Sequence, residues 1–288
     1  MQVNLWTIFL ISNGFFLLLS ISFITSFFKT NPMKNQIRDA LARGETVTGI
    51  ILFSGSPMIT ELAAAAGIDF VIIDMEHSAL DLDRCAHIIR AADAAGITPF
   101  VRVPEVDGGL IKKILNMGAA GIAVPHATRE NCLEALRWVS YPPQGERGVC
   151  AIVRSAGYAP GDWDQFVAQA NHEVMVIPLI EDQATLTDFA AMAATPGLDI
   201  FFIGPTDLSI SLGVPHATFE EPKMSAALEG VVKLAKQHGK YVMTTIGNHL
   251  DPAYARTVRD RGVQAVVLGT DGHLFLEVCR RMNAVKSD

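Results

Sequence analysis

A chain of 288 residues with a formal charge of −7 and a pI near 5.6 has no basic field with which to follow nucleic-acid phosphates. Half of its residues are hydrophobic and 18% are charged, which argues against disorder and allows a large α/β core, as one barrel or two smaller domains. Its four cysteines (Cys85, Cys132, Cys150, Cys279) form no CxxC pair and no Cys/His cluster. That argues against a zinc ribbon or a disulfide framework; buried free thiols in a reducing compartment are expected.

The first element is unlike the rest. Residues 5–28 form an uncharged apolar run of 24 residues, long enough to cross a bilayer. No basic residue precedes it and residues 22–28 offer no small-residue cleavage site, so it is a poor secretory signal. Lys29, Lys34 and Arg38 follow it, and an anchor so flanked would keep the remainder in the cytoplasm. A second reading stands beside the first. The first 32 residues contain no alanine and no acid but six of the fifteen phenylalanines, and Met33 opens an amphipathic stretch. Such a break fits translated upstream sequence ahead of a start at Met33. The expected organisation is a hydrophobic segment over 1–32 and one domain over 33–288, cytoplasmic, and at a membrane only if the first segment is a true anchor.

From Val47 onward short apolar runs alternate with helix-length segments. Strands are expected at 47–53, 69–75, 98–103, 121–125, 174–180, 199–203, 241–246 and 264–268. Helices are expected at 57–66, 81–95, 107–117, 129–139, 183–194, 224–238, 251–261 and 272–284. Ser56 before Pro57 and Thr128 before Arg129 are helix starts, and Gly67, Gly96, Gly118 and Gly262 are helix stops. Eight β/α repeats make a (β/α)8 TIM barrel. An open doubly wound sheet is the alternative, but no GxGxxG follows the first strand. The longest non-repeating connection, 140–172, reads as a functional or interface loop.

Five of the strands end on a polar group: Glu76-His77, Arg102, His126, Glu181 and Asp207. In a parallel barrel all these ends share one face, where the chemistry sits. Glu181 and Asp207 follow neighbouring strands, and two close carboxylates repel unless they share a proton or hold a cation. All-oxygen ligation favours Mg²⁺ or Mn²⁺, with Co²⁺ or Zn²⁺ as substitutes. The plain alternative is that each acid caps a helix. Arg102 in the mouth suits a carboxylate or developing oxyanion, or a structural salt bridge to Glu76 or Asp74. His77 reads as a general base, with Asp74 three residues earlier to orient its imidazole. His126 reads as substrate-lining or further back. The glycine turns at Gly247 and Gly269 lie where barrels often bind phosphate, or are ordinary turns. Lys240 precedes its strand and belongs on the opposite rim, so a Schiff-base mechanism lacks its amine.

Together these segments resemble the metal-dependent (class II) pyruvate aldolases of the 4-hydroxy-2-oxoheptanedioate aldolase / 2-dehydro-3-deoxyglucarate aldolase family. The likeness covers about residues 33–284. It rests on Asp-Met-Glu-His (74–77), Val-Arg-Val-Pro (101–104), Gly-Ala-Ala-Gly-Ile-Ala-Val-Pro (118–125), Tyr-Pro-Pro-Gln-Gly-Glu-Arg-Gly (141–148), Ile-Glu (180–181) and Phe-Ile-Gly-Pro-Thr-Asp-Leu-Ser (202–209). The resemblance implies a (β/α)8 barrel in a homo-oligomer, a hexamer with exchanged C-terminal helices. It implies a divalent cation on Glu181 and Asp207, and pyruvate chelating that cation. Backbone N–H groups near Gly204, Pro205 and Thr206 would meet the pyruvate carboxylate, and Arg102 the keto oxygen as it becomes an enolate. His77 with Asp74 would serve the acid/base steps through metal-bound water. Two positions depart from the pattern: Leu179 stands where the family commonly has Gln, and Asn116 where an Asp is frequent.

The expectation is therefore a carbon–carbon lyase that reversibly cleaves a 4-hydroxy-2-oxo acid to pyruvate and an aldehyde. The alternatives are a citrate lyase β-like or phosphoenolpyruvate-type lyase, or a non-catalytic 2-oxo acid binding protein.

Overall fold

The computed structural model describes residues 35–247 and 250–286. The apolar run at 5–28 and its two readings lie outside the described residues. Among the described residues no helix is long and apolar enough to cross a membrane.

Eight strands close in chain order into a parallel barrel: β1 Val47–Leu52, β2 Phe70–Asp74, β3 Thr98–Arg102, β4 Gly121–Val124, β5 Met175–Ile180, β6 Ile200–Ile203, β7 Tyr241–Thr245 and β8 Ala265–Thr270. The seam is β1 on β8, with Val47 beside Ala265, and it excludes the open sheet. The barrel is a (β/α)8 TIM barrel, as the repeat pattern predicts.

Helices cover the strands: α1 Gln36–Ala42, α2 Pro57–Ala65, α3 Leu82–Ala95, α4 Gly108–Met117, α5 Arg129–Val139, α6 Trp163–Glu173, α7 Gln183–Ala193, α8 Pro205–Ser211, α9 Pro222–Gln237, α10 Pro252–Asp260 and α11 Asp271–Asn283. Ser56 caps α2, and Thr128 and Asn131 form a capping box on α5. Gly96 and Gly118 end α3 and α4 in the left-handed region, at φ of 74° and 106°. Three of these helices lie outside the expected set: α1, at the amphipathic stretch that follows Met33, and two more. The connection at 140–172 contains α6 and a one-turn 3-10 helix, Arg154–Ala156, and a short α8 follows β6. In α6 Trp163, Phe166, Val167 and Ala170 do recur at helical spacing toward the core, whereas α8, at 7 residues, is too short to show a period.

Two apolar cores flank the strand wall. The inner one takes every second strand residue: Ile51, Phe70, Ile72, Phe100, Ala123, Ile177, Leu179, Phe202, Met243 and Val267 among them. The outer one packs the intervening residues against the helices. Burial of each large side chain contributes about 1.5–3 kcal/mol. Ile37, Ala40 and Leu41 of α1 plug the amino-terminal end of the inner core. There Asp199 pairs with Arg38 at 2.8 Å and with Lys240 at 3.2 Å, so Lys240 does lie on the rim away from the strand C-termini.

Burial of all four thiols was expected. Only Cys85 and Cys132 are buried, and burial pushes both up to about 12; Cys150 is half-buried and Cys279 exposed. Cys150 lies on the 140–172 connection beside the exposed Val149 and Ile152, and Cys279 on α11, whose outer face is exposed.

Candidate active site

The pleat aims the site residues. Phe70 and Ile72 face the barrel interior, so Asp74, two residues on, faces it too; Phe100 does the same for Arg102, and Ile177 and Leu179 for Glu181. Register aligns Asp74 beside Arg102 across the β2–β3 seam. Asp74 is fully buried and Arg102 is 9% exposed.

Asp74 works in two directions. Its Oδ2 accepts from Arg102 Nε at 2.6 Å and from Arg102 Nη2. Its Oδ1 accepts the backbone N–H of Glu76 at 2.9 Å and of His77 at 2.7 Å, while the Ser78 hydroxyl donates to the Asp74 carbonyl. The expectation that Asp74 orients the His77 imidazole is corrected: both carboxylate oxygens are committed, and the turn carries the ring outward. His77 is 58% exposed, and its Nε2 lies 3.5 Å from Glu76 Oε2. The structural ion pair weighed for Arg102 is present with both acids, since Arg102 Nη1 lies 3.2 Å from Glu76 Oε2.

Glu181 is 4% exposed. Burial raises its pKa above the ordinary carboxylate value, opposed by the His126 N–H and ring and reinforced by the negative charges of Glu76 and Asp207. Glu181 and Asp207 therefore share one electrostatic neighbourhood, as their adjacent strands require. Neither caps a helix. Asp182 is the N-cap of α7 and Gly204 that of α8, and α8 has no side-chain cap hydrogen bond. Asp207 stands exposed in the first turn of α8.

The site contains two residues beyond the predicted set. Glu76 is a half-buried fourth carboxylate between Arg102 and the histidines. His126, expected further back, donates its backbone N–H to Glu181 Oε1 at 2.5 Å, with its Nδ1 3.3 Å from the same oxygen. Its Nε2 is 4.0 Å from Glu76 Oε1. His126 does this from φ 44°, a left-handed conformation uncommon outside glycine. The Asn131 amide fixes the turn by donating to the His126 carbonyl at 3.1 Å. Both residues stood at strand ends in the sequence, and that position was their signal.

The first turn of α8 narrows the anion-binding expectation. Gly204 N–H donates to the Ile180 carbonyl at 3.1 Å and Pro205 has no N–H, so of the three predicted residues only Thr206 offers a free-facing backbone donor. Gly204 matters by its missing side chain instead: a Cβ there would meet Glu181 Cβ and Oε2 at 3.1 Å. Leu179 is buried in the inner core below Glu181. Asn116 lies away from the mouth and accepts from the buried Arg147 at 3.2 Å.

The donor set fits a hard divalent cation. Asp74, Glu76, Glu181 and Asp207 oppose a single guanidinium, and Glu181 receives hydrogen bonds on Oε1 while Oε2 faces Gly204. Among the described residues no group of three His, Cys, Asp or Glu side chains could hold a metal ion alone. Glu181 and Asp207 would be two oxygen donors of such a shell, with substrate and water as the others.

The closed barrel thus carries an acid-rich mouth and one clamped arginine at the C-terminal ends of its strands. The family model described as HpcH/HpaI aldolase/citrate lyase matches residues 48–278, and the chain belongs to that family. It is 32% identical over 259 residues to the 2-keto-3-deoxy-L-rhamnonate aldolase of Klebsiella pneumoniae, covering 89% of this chain and 95% of that protein. It is 34% identical over 260 residues to the hydroxypyruvate/pyruvate aldolase of Paraburkholderia phytofirmans, covering 88% and 96%. The crystal structure of an HpcH/HpaI aldolase from Desulfitobacterium hafniense superposes with a TM-score of 0.81 at 29% identity, over 87% of this chain and 96% of that one. The protein is a metal-dependent aldolase, a carbon–carbon lyase.

Proposed function

We propose that this aldolase cleaves a 4-hydroxy-2-oxo acid to pyruvate and an aldehyde, and runs the addition in reverse. The carrying observation is the convergence of Glu181, Asp207 and Arg102 on the strand C-termini, with no lysine on that rim among the described residues. Glu181 and Asp207 are the proposed holders of a divalent cation, Mg²⁺ or Mn²⁺ by donor chemistry, with Co²⁺ or Zn²⁺ as substitutes. That cation supplies Lewis acidity toward the 2-oxo acid. Thr206 N–H meets the pyruvate carboxylate at the positive end of α8. Arg102, locked by Asp74 and Glu76, donates to the keto oxygen as negative charge develops on it. His77, held by its backbone with its exposed ring beside Glu76, moves the proton of the 4-hydroxyl.

A homo-oligomer with exchanged C-terminal helices fits the surface. In α11 only Asp271 is buried, while Phe275, Val278 and Met282 are 73%, 58% and 73% exposed. Beside it, a groove of about 380 Å³ opens over β1, β8 and α10, lined by Ile246, Ala255, Val266 and Leu268. An apolar helix leaving the barrel next to an apolar groove fits the same helix from a second copy.

Purified protein given a 4-hydroxy-2-oxo acid and Mn²⁺ should release pyruvate, measured by a coupled reduction, and stop on EDTA. Undiminished turnover after exhaustive chelation refutes the reading.

A further inference from the structure

The inner core ends at the mouth on an aromatic ring. In β1, Val47 and Ile51 face the interior, and Phe53 continues the alternation one residue past the strand. Its side chain is half-buried and packs on the inner core, not on the helices. The β1–β2 register runs Gly49 beside Phe70 to Leu52 beside Ile73, and its next step sets Phe53 beside Asp74. Phe53 thus continues the interior row of β1 beside the strand that carries Asp74, the partner of Arg102.

The ring is also fixed in place. Asp271, 7% exposed at the start of α11, accepts the Phe53 N–H at 2.9 Å, the Ser54 N–H at 3.0 Å and the Ser54 hydroxyl. A carboxylate with this many donors holds the β1 turn rigidly. An apolar side chain held at a polar mouth shapes a volume; it makes no hydrogen bond to a substrate.

We propose that Phe53 is a specificity-determining residue that limits the size of the acceptor aldehyde. The inference rests on the aldolase reading above. The donor acid lies between the β5 and β6 carboxylates and Arg102. His77, which follows β2, must reach the oxygen of the acceptor carbonyl, so the acceptor's carbon substituent falls toward β2 and its neighbour β1. Phe53 closes that side. The acceptor class is short, unbranched aldehydes of two or three carbons, and branched or aromatic aldehydes are excluded by the ring.

The test compares acetaldehyde with isobutyraldehyde as acceptors for pyruvate in wild type and in Phe53→Ala, Phe53→Leu and Phe53→Trp, each with Mn²⁺. The ratio of kcat/KM for isobutyraldehyde over acetaldehyde should rise by about tenfold or more in Phe53→Ala, less in Phe53→Leu, and fall in Phe53→Trp. A ratio that stays constant across the series, or fails to follow side-chain volume, overturns the proposal. If Phe53→Ala does not fold, the Leu and Trp variants give the same ordering. Exchange of pyruvate C3 protons with solvent deuterium by the wild type separates the two readings. Without exchange the aldolase reading fails; with exchange and a flat ratio only the role of Phe53 does.

Discussion

Glu181 receives the backbone N–H of His126 at 2.5 Å, and His126 holds a left-handed φ of 44° to deliver it. That bond is the largest opposition to the burial that raises the Glu181 pKa. A carboxyl with a raised pKa keeps its proton to higher pH, and a cation must displace that proton to bind. Mn²⁺ affinity should therefore fall as pH drops, beginning above the ordinary carboxylate value of 4.5. Calorimetric titration of Mn²⁺ between pH 5 and 8 reads this directly, and pH-independent affinity contradicts it. In metal-free protein the same group destabilises the fold when ionised, so stability should rise as pH falls through its raised pKa. Glu181→Gln should be at least as stable without metal at neutral pH, while losing on the order of 10³-fold or more in kcat with the Lewis acid gone.

Asp74 offers a different separation. Its carboxylate holds Arg102 and two backbone amides and does not hold the His77 ring. Asp74→Asn leaves a buried guanidinium short of a charge partner, a loss of about 3–5 kcal/mol in unfolding free energy. The kcat should fall on the order of 10²-fold through a misplaced Arg102. The pH at which the histidine-dependent limb of the rate profile turns should stay put. A shift of that limb by about one unit would show that Asp74 tunes the imidazole after all.

Most of this geometry was legible in the residue order, for a physical reason. Interior positions of a barrel strand recur every second residue, so Phe70–Ile72–Asp74 and Ile177–Leu179–Glu181 declare where the polar group points. What the order does not carry is the pairing of groups beyond the strand ends. Glu76 and His77 are neighbours in sequence, yet one is half-buried against Arg102 and the other exposed, because the turn closed by Asp74 sends them apart. The His126 contact to Glu181 depends on a positive φ at a histidine, which no local pattern announces. The fold was written in periodicity; the second carboxylate at Arg102 was written in one turn.

Arg147 presents a stability prediction. It is 1% exposed; among the described residues its Nη2 meets only the neutral Asn116 amide, at 3.2 Å, and its Nε and Nη1 have no hydrogen-bond partner. The Tyr141 ring 4.5 Å away gives partial compensation. Burial lowers its pKa to about 10, equivalent to a cost of about 3 kcal/mol for carrying the charge at pH 7. Asn116→Asp would supply the missing countercharge and should stabilise the protein by about 1–3 kcal/mol at pH 7. The new aspartate would have a depressed folded pKa, so the gain should be present above its unfolded pKa of about 3.9 and vanish as pH falls through the folded value. Urea unfolding of both proteins at pH 7 and pH 3 checks the sign, and equal stability at pH 7 contradicts it.

The exposed face of α11 supports the last prediction. Phe275, Val278 and Met282 are more than half exposed on a helix whose first turn alone is tied to the barrel, through Asp271 and the Phe53–Ser54 turn. Such a face resembles half of an obligate interface. Phe275→Glu with Met282→Glu should cut the apparent mass in light scattering after gel filtration to a smaller species, while the Asp74–Arg102 pair and barrel core stay intact within the protomer. Because Asp271 joins this helix to the turn bearing Phe53, dissociation should also raise KM for the aldehyde more than for pyruvate. A variant that dissociates with both KM values unchanged would show that α11 serves assembly alone, and one that keeps its mass would place the subunit contact elsewhere.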